Sequence, residues 1–101
     1  MKTIVVRYQV KPDHAPENQR YVGQVMAELA GVRPEGVDYR VYQLDDGVSF
    51  MHVATYADGA DSSAITSLAS FQEFQKTLPQ RVAAPPSGQD ATLVGSFTPG
   101  R

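Results

Sequence analysis

Residues 37–44 and 48–56 each read as a strand, with Asp45-Asp46-Gly47 between them. β-Branched and aromatic residues recur in both segments, and glycine accepts the positive φ that tight hairpins demand, so the pair is predicted as an antiparallel hairpin. Two registers are open. A turn on Asp46-Gly47 alone sets Val41 opposite His52, whereas a three-residue turn with Gly47 as a bulge sets Arg40 there. Residues 3–10 carry a third strand pattern, with Ile4, Val6, Tyr8 and Val10 alternating against Thr3, Val5, Arg7 and Gln9. Between this strand and the hairpin a helix is predicted from Asp13, a suitable N-cap, to about Ala30, with Pro16 in its first turn. Val22, Val25, Met26 and Leu29 form its apolar stripe, Asn18 continues the stripe toward the start, and Gly31 and Pro34 supply the stop.

Beyond the hairpin, residues 57–69 are polar, with Ile65 and Leu68 as their only large apolar side chains. Such a connection is a lid or a short irregular helix. Ser70-Phe71-Gln72-Glu73 matches a capping box and opens a second helix, predicted over 70–84, whose stripe is Phe71, Phe74, Leu78 and Val82. Pro85-Pro86-Ser87-Gly88 ends it, and residues 91–97 read as a final strand. The order is β-α-β-β-α-β, an α+β domain spanning residues 1–101, with a four-stranded antiparallel sheet and two helices on one face.

A chain of 101 residues buries a thin core, and without cysteine it has no disulfide or thiolate metal site to reinforce it. A net charge of −2, with no basic run, lacks the footprint of a nucleic-acid-binding protein. Ile4-Val5-Val6 is too short an apolar stretch for a signal core or a membrane span, and a cytoplasmic protein is expected.

Two helices cover one face of such a sheet, yet both faces carry large apolar residues. Whichever face the helices take, Val5, Met51, Val53 and either Leu93 or Val94 are left outside. A homodimer through the sheet face removes that patch, with Arg7, Gln9 and either Arg40 or Gln43 supplying polar contacts. The alternative is a monomer whose outer face is Val- and Thr-rich for strand propensity alone.

The element order, together with Arg7-Tyr8-Gln9-Val10-Lys11-Pro12-Asp13 and Ser70-Phe71-Gln72-Glu73-Phe74, resembles the antibiotic biosynthesis monooxygenase-like family. These are dimeric α/β barrels of ferredoxin-like fold. The resemblance implies a pocket between sheet and helices in each subunit, a sheet-to-sheet dimer, and one of several activities: cofactor-free oxygenation that forms quinones, haem degradation, or none. Haem degraders of this kind place a histidine on the second helix and a tryptophan near the end of the third strand. Here residues 70–84 contain no histidine and Tyr56 stands where the tryptophan would fall, so no cofactor is expected.

His52 shares its strand face with Val48, Phe50, Ala54 and Tyr56. If that face lines the pocket, His52 is the candidate catalytic base, because a neutral imidazole can take a proton from a phenol or activated carbon near pH 7. Tyr8, Phe50 and Tyr56 are the candidate walls for a small aromatic substrate. The plainer alternative is a strand histidine whose ring nitrogens are satisfied by neighbours. His14, at the start of the first helix, reads as solvent-exposed, and two separated histidines make no metal site. The activity these residues suggest is cofactor-independent monooxygenation or a related proton transfer; the other reading is a non-catalytic small-molecule-binding module.

Overall fold

In the computed structural model, which describes residues 1–100, the central hairpin pairs strand β2 (Val37–Gln43) with β3 (Ser49–Tyr56). Val41 faces His52, the register of the shorter turn. Gly47 adopts φ +79° and donates its N–H to the Leu44 carbonyl, while Asp46 accepts the Val48 and Ser49 amides and so closes the turn from its side chain. Strand β1 (Lys2–Gln9) pairs antiparallel with β3, and the sheet order is β2-β3-β1-β4. This is the ferredoxin-like α+β arrangement, with both helical crossovers on one face.

Helix α1 (Ala15–Val32) starts later and runs further than its sequence signals suggest. Asp13 does not cap it; residues Pro12–His14 form a 3-10 turn first, because proline at its start leaves no N–H to satisfy. The helix passes through Gly31 and closes at Arg33, whose φ of +51° lets its N–H reach the Leu29 carbonyl at 2.7 Å. Pro34 enforces that ending by crowding the residue before it out of the helical region. The 57–69 connection contains the short helix α2 (Ser63–Thr66), with Ile65 buried.

Three expectations for the C-terminal third are corrected. Helix α3 (Ala69–Thr77) is not closed by a capping box: Ser70 gives both its N–H and its hydroxyl to Glu28 of α1, at 2.9 and 2.5 Å. A carboxylate from the neighbouring helix satisfies the amide more strongly than a local serine would, and it ties α3 to α1. Residues 78–80 continue as a 3-10 turn, so the helix stops short of Ala84. The last strand is β4 (Ser87–Ala91), not residues 91–97. The Ala83 amide already bonds the Gln9 carbonyl, which brings the chain alongside β1 before Pro85 and leaves it to pair at once. Leu93, Val94 and Phe97, which look like strand residues, extend beyond the sheet, with Val94 97% exposed.

Burial alternates strictly along β3, with Phe50, His52, Ala54 and Tyr56 buried under the helices. Opposite them lie Val5, Met51 and Val53, half-exposed on the uncovered face with Arg7 and Arg40; Leu93 and Val94 do not join that face. Gln43 turns toward α1 instead and accepts a hydrogen bond from Gln19. No helix among the described residues is long and apolar enough to cross a membrane.

A histidine held between two tyrosines beside an apolar cavity

The strand period that buries Phe50, Ala54 and Tyr56 carries His52 inward with them, to 6% exposure. Its two ring nitrogens meet two phenols from the strands on either side. Nε2 lies 2.7 Å from the Tyr8 hydroxyl of β1, and Nδ1 lies 2.6 Å from the Tyr39 hydroxyl of β2. Phe74 of α3 covers the imidazole, with ring centroids 5.3 Å apart.

The Tyr8 hydroxyl has a second partner. Asn18 of α1 donates Nδ2 to it at 2.9 Å, and the Asn18 carboxamide oxygen accepts Nε of Arg81 at 3.0 Å. Asn18 is fully buried and Arg81 is 1% exposed. Among the described residues no carboxylate is hydrogen-bonded to the guanidinium. It is held by Asn18, the Thr77 hydroxyl, the Phe74 carbonyl and the face of Tyr21, 4.3 Å from the ring centroid. A continuous polar chain therefore runs through the core, Arg81–Asn18–Tyr8–His52–Tyr39, drawn from five separate stretches of sequence.

Burial governs the protonation of its members. It pushes the His52 pKa down to about 4, because an imidazolium there would lose its hydration, so the ring is neutral near pH 7. Burial also raises the phenols, Tyr8 to about 12, with the Asn18 hydrogen bond opposing; Tyr39 moves in the same direction, helped by the neighbouring phenols Tyr8 and Tyr56. The site holds neutral hydroxyls on a neutral imidazole.

A cavity of about 240 Å3 opens beside this chain, lined by Tyr8, Tyr39, His52, Ala54, Tyr56 and Phe71 among others. It is large enough for a small aromatic molecule and is walled chiefly by apolar surface. Of the residues singled out from sequence, Tyr8, His52 and Tyr56 border it. Phe50 does not: it stacks behind Tyr8, ring centroids 5.6 Å apart and planes 11° apart, and stiffens that wall from the core. His14 lies elsewhere, paired with Glu17 at 2.9 Å. No cluster of metal-ligating side chains occurs among the described residues.

Asn18, Arg81 and Tyr39 are site residues that the sequence patterns do not single out. The available signal was a polar residue on an otherwise apolar helical stripe, Asn18, and an arginine next to Val82 of the second stripe.

The sequence matches no known family profile and no curated protein. Its fold is shared with solved structures. A Nitrosomonas europaea protein provisionally assigned as an antibiotic biosynthesis monooxygenase superposes with a TM-score of 0.80 at 20% identity, covering 94% of this chain and 100% of that one. A second antibiotic biosynthesis monooxygenase gives 0.76 at 11% identity, with the same coverage of both chains. A Pseudomonas aeruginosa protein gives 0.75 at 16%, covering 93% of this chain and 94% of its own. The chain thus has the ferredoxin-like α+β fold of these solved structures.

Proposed function

We propose that the cavity beside His52 binds a small planar aromatic molecule with an oxygen at its polar end, and that the reaction is cofactor-independent oxygenation of an enolisable or phenolic substrate. The observation that carries this reading is the placement of the hydrogen-bonded Tyr8–His52–Tyr39 group in a cavity walled chiefly by apolar and aromatic side chains. Two hydrogen bonds join three groups that own three protons, two phenolic and one on the imidazole. One phenolic proton therefore remains for a bound oxygen, and such a donor stabilises an enolate in a low-dielectric cleft.

For an anthrone-type substrate the chemistry balances with O2 alone. The methylene carbon is oxidised by O2 through its enolate, one oxygen atom enters as the new carbonyl, and the other leaves as water carrying both methylene hydrogens. The neighbouring folds named as antibiotic biosynthesis monooxygenases support this class. His52 acts here through its tyrosines, since both nitrogens are occupied. That occupancy also favours a second reading, a non-catalytic binding module in which the histidine only fixes the phenols.

Oxygen uptake with anthrone and dihydroxyquinone substrates separates the two. The oxygenase reading predicts saturable uptake that falls at least tenfold in His52→Ala. Unchanged uptake in the variant removes His52 from the mechanism, and no uptake with saturable binding leaves the binding module.

The uncovered sheet face, with Val5, Met51 and Val53 half-exposed, supports a homodimer closed sheet to sheet, and the lack of cysteine suits the cytoplasm. Sedimentation of the parent as a dimer and of Val53→Glu as a monomer is the expected result; a monomeric parent contradicts it.

A further inference from the structure

The polar chain has a direction, and its direction begins at Arg81. A guanidinium donates and never accepts, so the Asn18 atom 3.0 Å from Arg81 Nε is the carboxamide oxygen. The amide group of Asn18 must then face Tyr8, and it donates to the phenol oxygen at 2.9 Å. With one acceptor position filled from Asn18, the Tyr8 oxygen has two choices toward Nε2 of His52. It can donate its own proton, or it can accept a second hydrogen bond and leave that proton without a place in the chain. Tyr8 is 6% exposed and Tyr39 is less deeply buried, so the order in which the Tyr8 hydroxyl both accepts and donates, leaving the spare proton to Tyr39, is the lower in energy, each bond polarising the next.

We infer that Arg81 and Asn18 orient the hydrogen bonds of the buried chain so that Tyr39 presents its hydroxyl proton to the cavity, selecting ligands with an acceptor oxygen at that position. The steps follow one another. Tyr8 donates to Nε2, so the imidazole proton sits on Nδ1. Nδ1–H donates to the Tyr39 oxygen 2.6 Å away. The Tyr39 proton is then uncommitted, and Tyr39 borders the cavity. A carbonyl or enolate oxygen satisfies it; a ligand offering only an N–H or O–H donor does not. Arg81 and Asn18 are positioning residues here, since neither borders the cavity. The selection of ligand rests on the cavity being a binding site, as proposed above; the order of the protons does not.

Asn18→Asp is the discriminating substitution. A carboxylate still accepts from Arg81, and it gains a formal charge partner there, but it cannot donate to Tyr8. Tyr8 must then donate to Asp, accept from Nε2–H, and leave Nδ1 bare to accept the Tyr39 proton. Long-range proton–nitrogen NMR of the 15N-labelled protein at pH 7 reads the tautomer directly. The parent is expected to show the protonated signal at Nδ1, and Asn18→Asp is expected to move it to Nε2. A parent protonated at Nε2 overturns the inference, and this measurement needs no variant. Retention of Nδ1–H in a folded Asn18→Asp also overturns it, because the asparagine would then not set the direction.

Fluorenone, a planar ketone with no donor, and fluorene, its oxygen-free counterpart, extend the test to the ligand. Fluorenone affinity should fall about tenfold both in Tyr39→Phe and in Asn18→Asp, where Tyr39 remains present, while fluorene binding stays level. A fluorenone affinity unchanged in Asn18→Asp overturns the selection. Failure of both probes to bind the parent, with the tautomers behaving as described, refutes the cavity as an aromatic site and leaves the proton order standing.

Discussion

Replacing Arg81 with alanine is expected to destabilise the protein by about 4 kcal/mol, lowering its melting temperature by on the order of 20 °C. Three terms add. The buried carboxamide oxygen of Asn18 loses the Arg81 donor, the Thr77 hydroxyl loses its donor while the Phe74 carbonyl keeps the Leu78 amide and gives up only a second, longer bond, and the volume between Tyr21 and Phe74 empties. Hydrogen bonds to a charged group are each worth roughly 1.5–3 kcal/mol and a void of side-chain size adds about 2 more, while release from burying a guanidinium without a carboxylate partner offsets part of that total and leaves about 4 kcal/mol. Against a total stability of roughly 5–10 kcal/mol for a domain of this length, that is a large fraction. Arg81→Lys should recover little, because a lysine ammonium keeps the charge but cannot reach Asn18 and Thr77 with a planar fork while stacking on Tyr21. Urea unfolding of parent, alanine and lysine variants checks this, and an alanine variant within about 1 kcal/mol of the parent would show that the network adds little.

The second large effect is on pH dependence. His52 has a folded pKa of about 4 against an ordinary value of 6.5. Between these two values the unfolded chain binds a proton that the folded chain refuses. Stability is therefore complete above the unfolded value, declines as the pH falls across the window, and loses nothing further from this group below the folded value. The depression corresponds to roughly 3 kcal/mol over the whole window. Carboxylates such as Asp46, Asp61 and Glu28 are held below their usual range by hydrogen bonds, so they add no slope between pH 6.5 and 5, and comparison with a variant lacking the imidazole isolates His52 there. Urea midpoints measured across that interval should fall in the parent and stay flat in His52→Gln. Equal slopes in the two proteins contradict a buried neutral His52.

The hairpin, the first strand and the inward face of His52 were legible because period-2 alternation and an Asp-Gly turn are local signals. Tyr8 and Tyr56 followed from the same alternation. The final strand was not legible: Ser87-Gly88-Gln89-Asp90-Ala91 is a fully exposed edge with no apolar pattern, and its pairing is decided by where Ala83 anchors the chain on β1. The apolar residues after it imitate a strand without pairing as one. The capping box failed for a related reason, since Glu28 comes from a helix 42 residues earlier and no local motif announces it. The chain from Arg81 to Tyr39 is the extreme case. Arg81 and Asn18 are 63 residues apart and meet only once both helices lie on the sheet, so no spacing encodes them.

Ligand binding in the cavity underlies both the proposed reaction and the role of Tyr39, and anaerobic titration of the parent and of Ala54→Phe with anthrone tests it most directly. Ala54 borders the cavity beside His52, and a phenyl group there occupies the space that the ligand would need. Saturable binding to the parent that perturbs the His52 ring signals, with at least a tenfold loss in a folded Ala54→Phe, is the predicted result; equal binding to both proteins, or none to the parent, would contradict it.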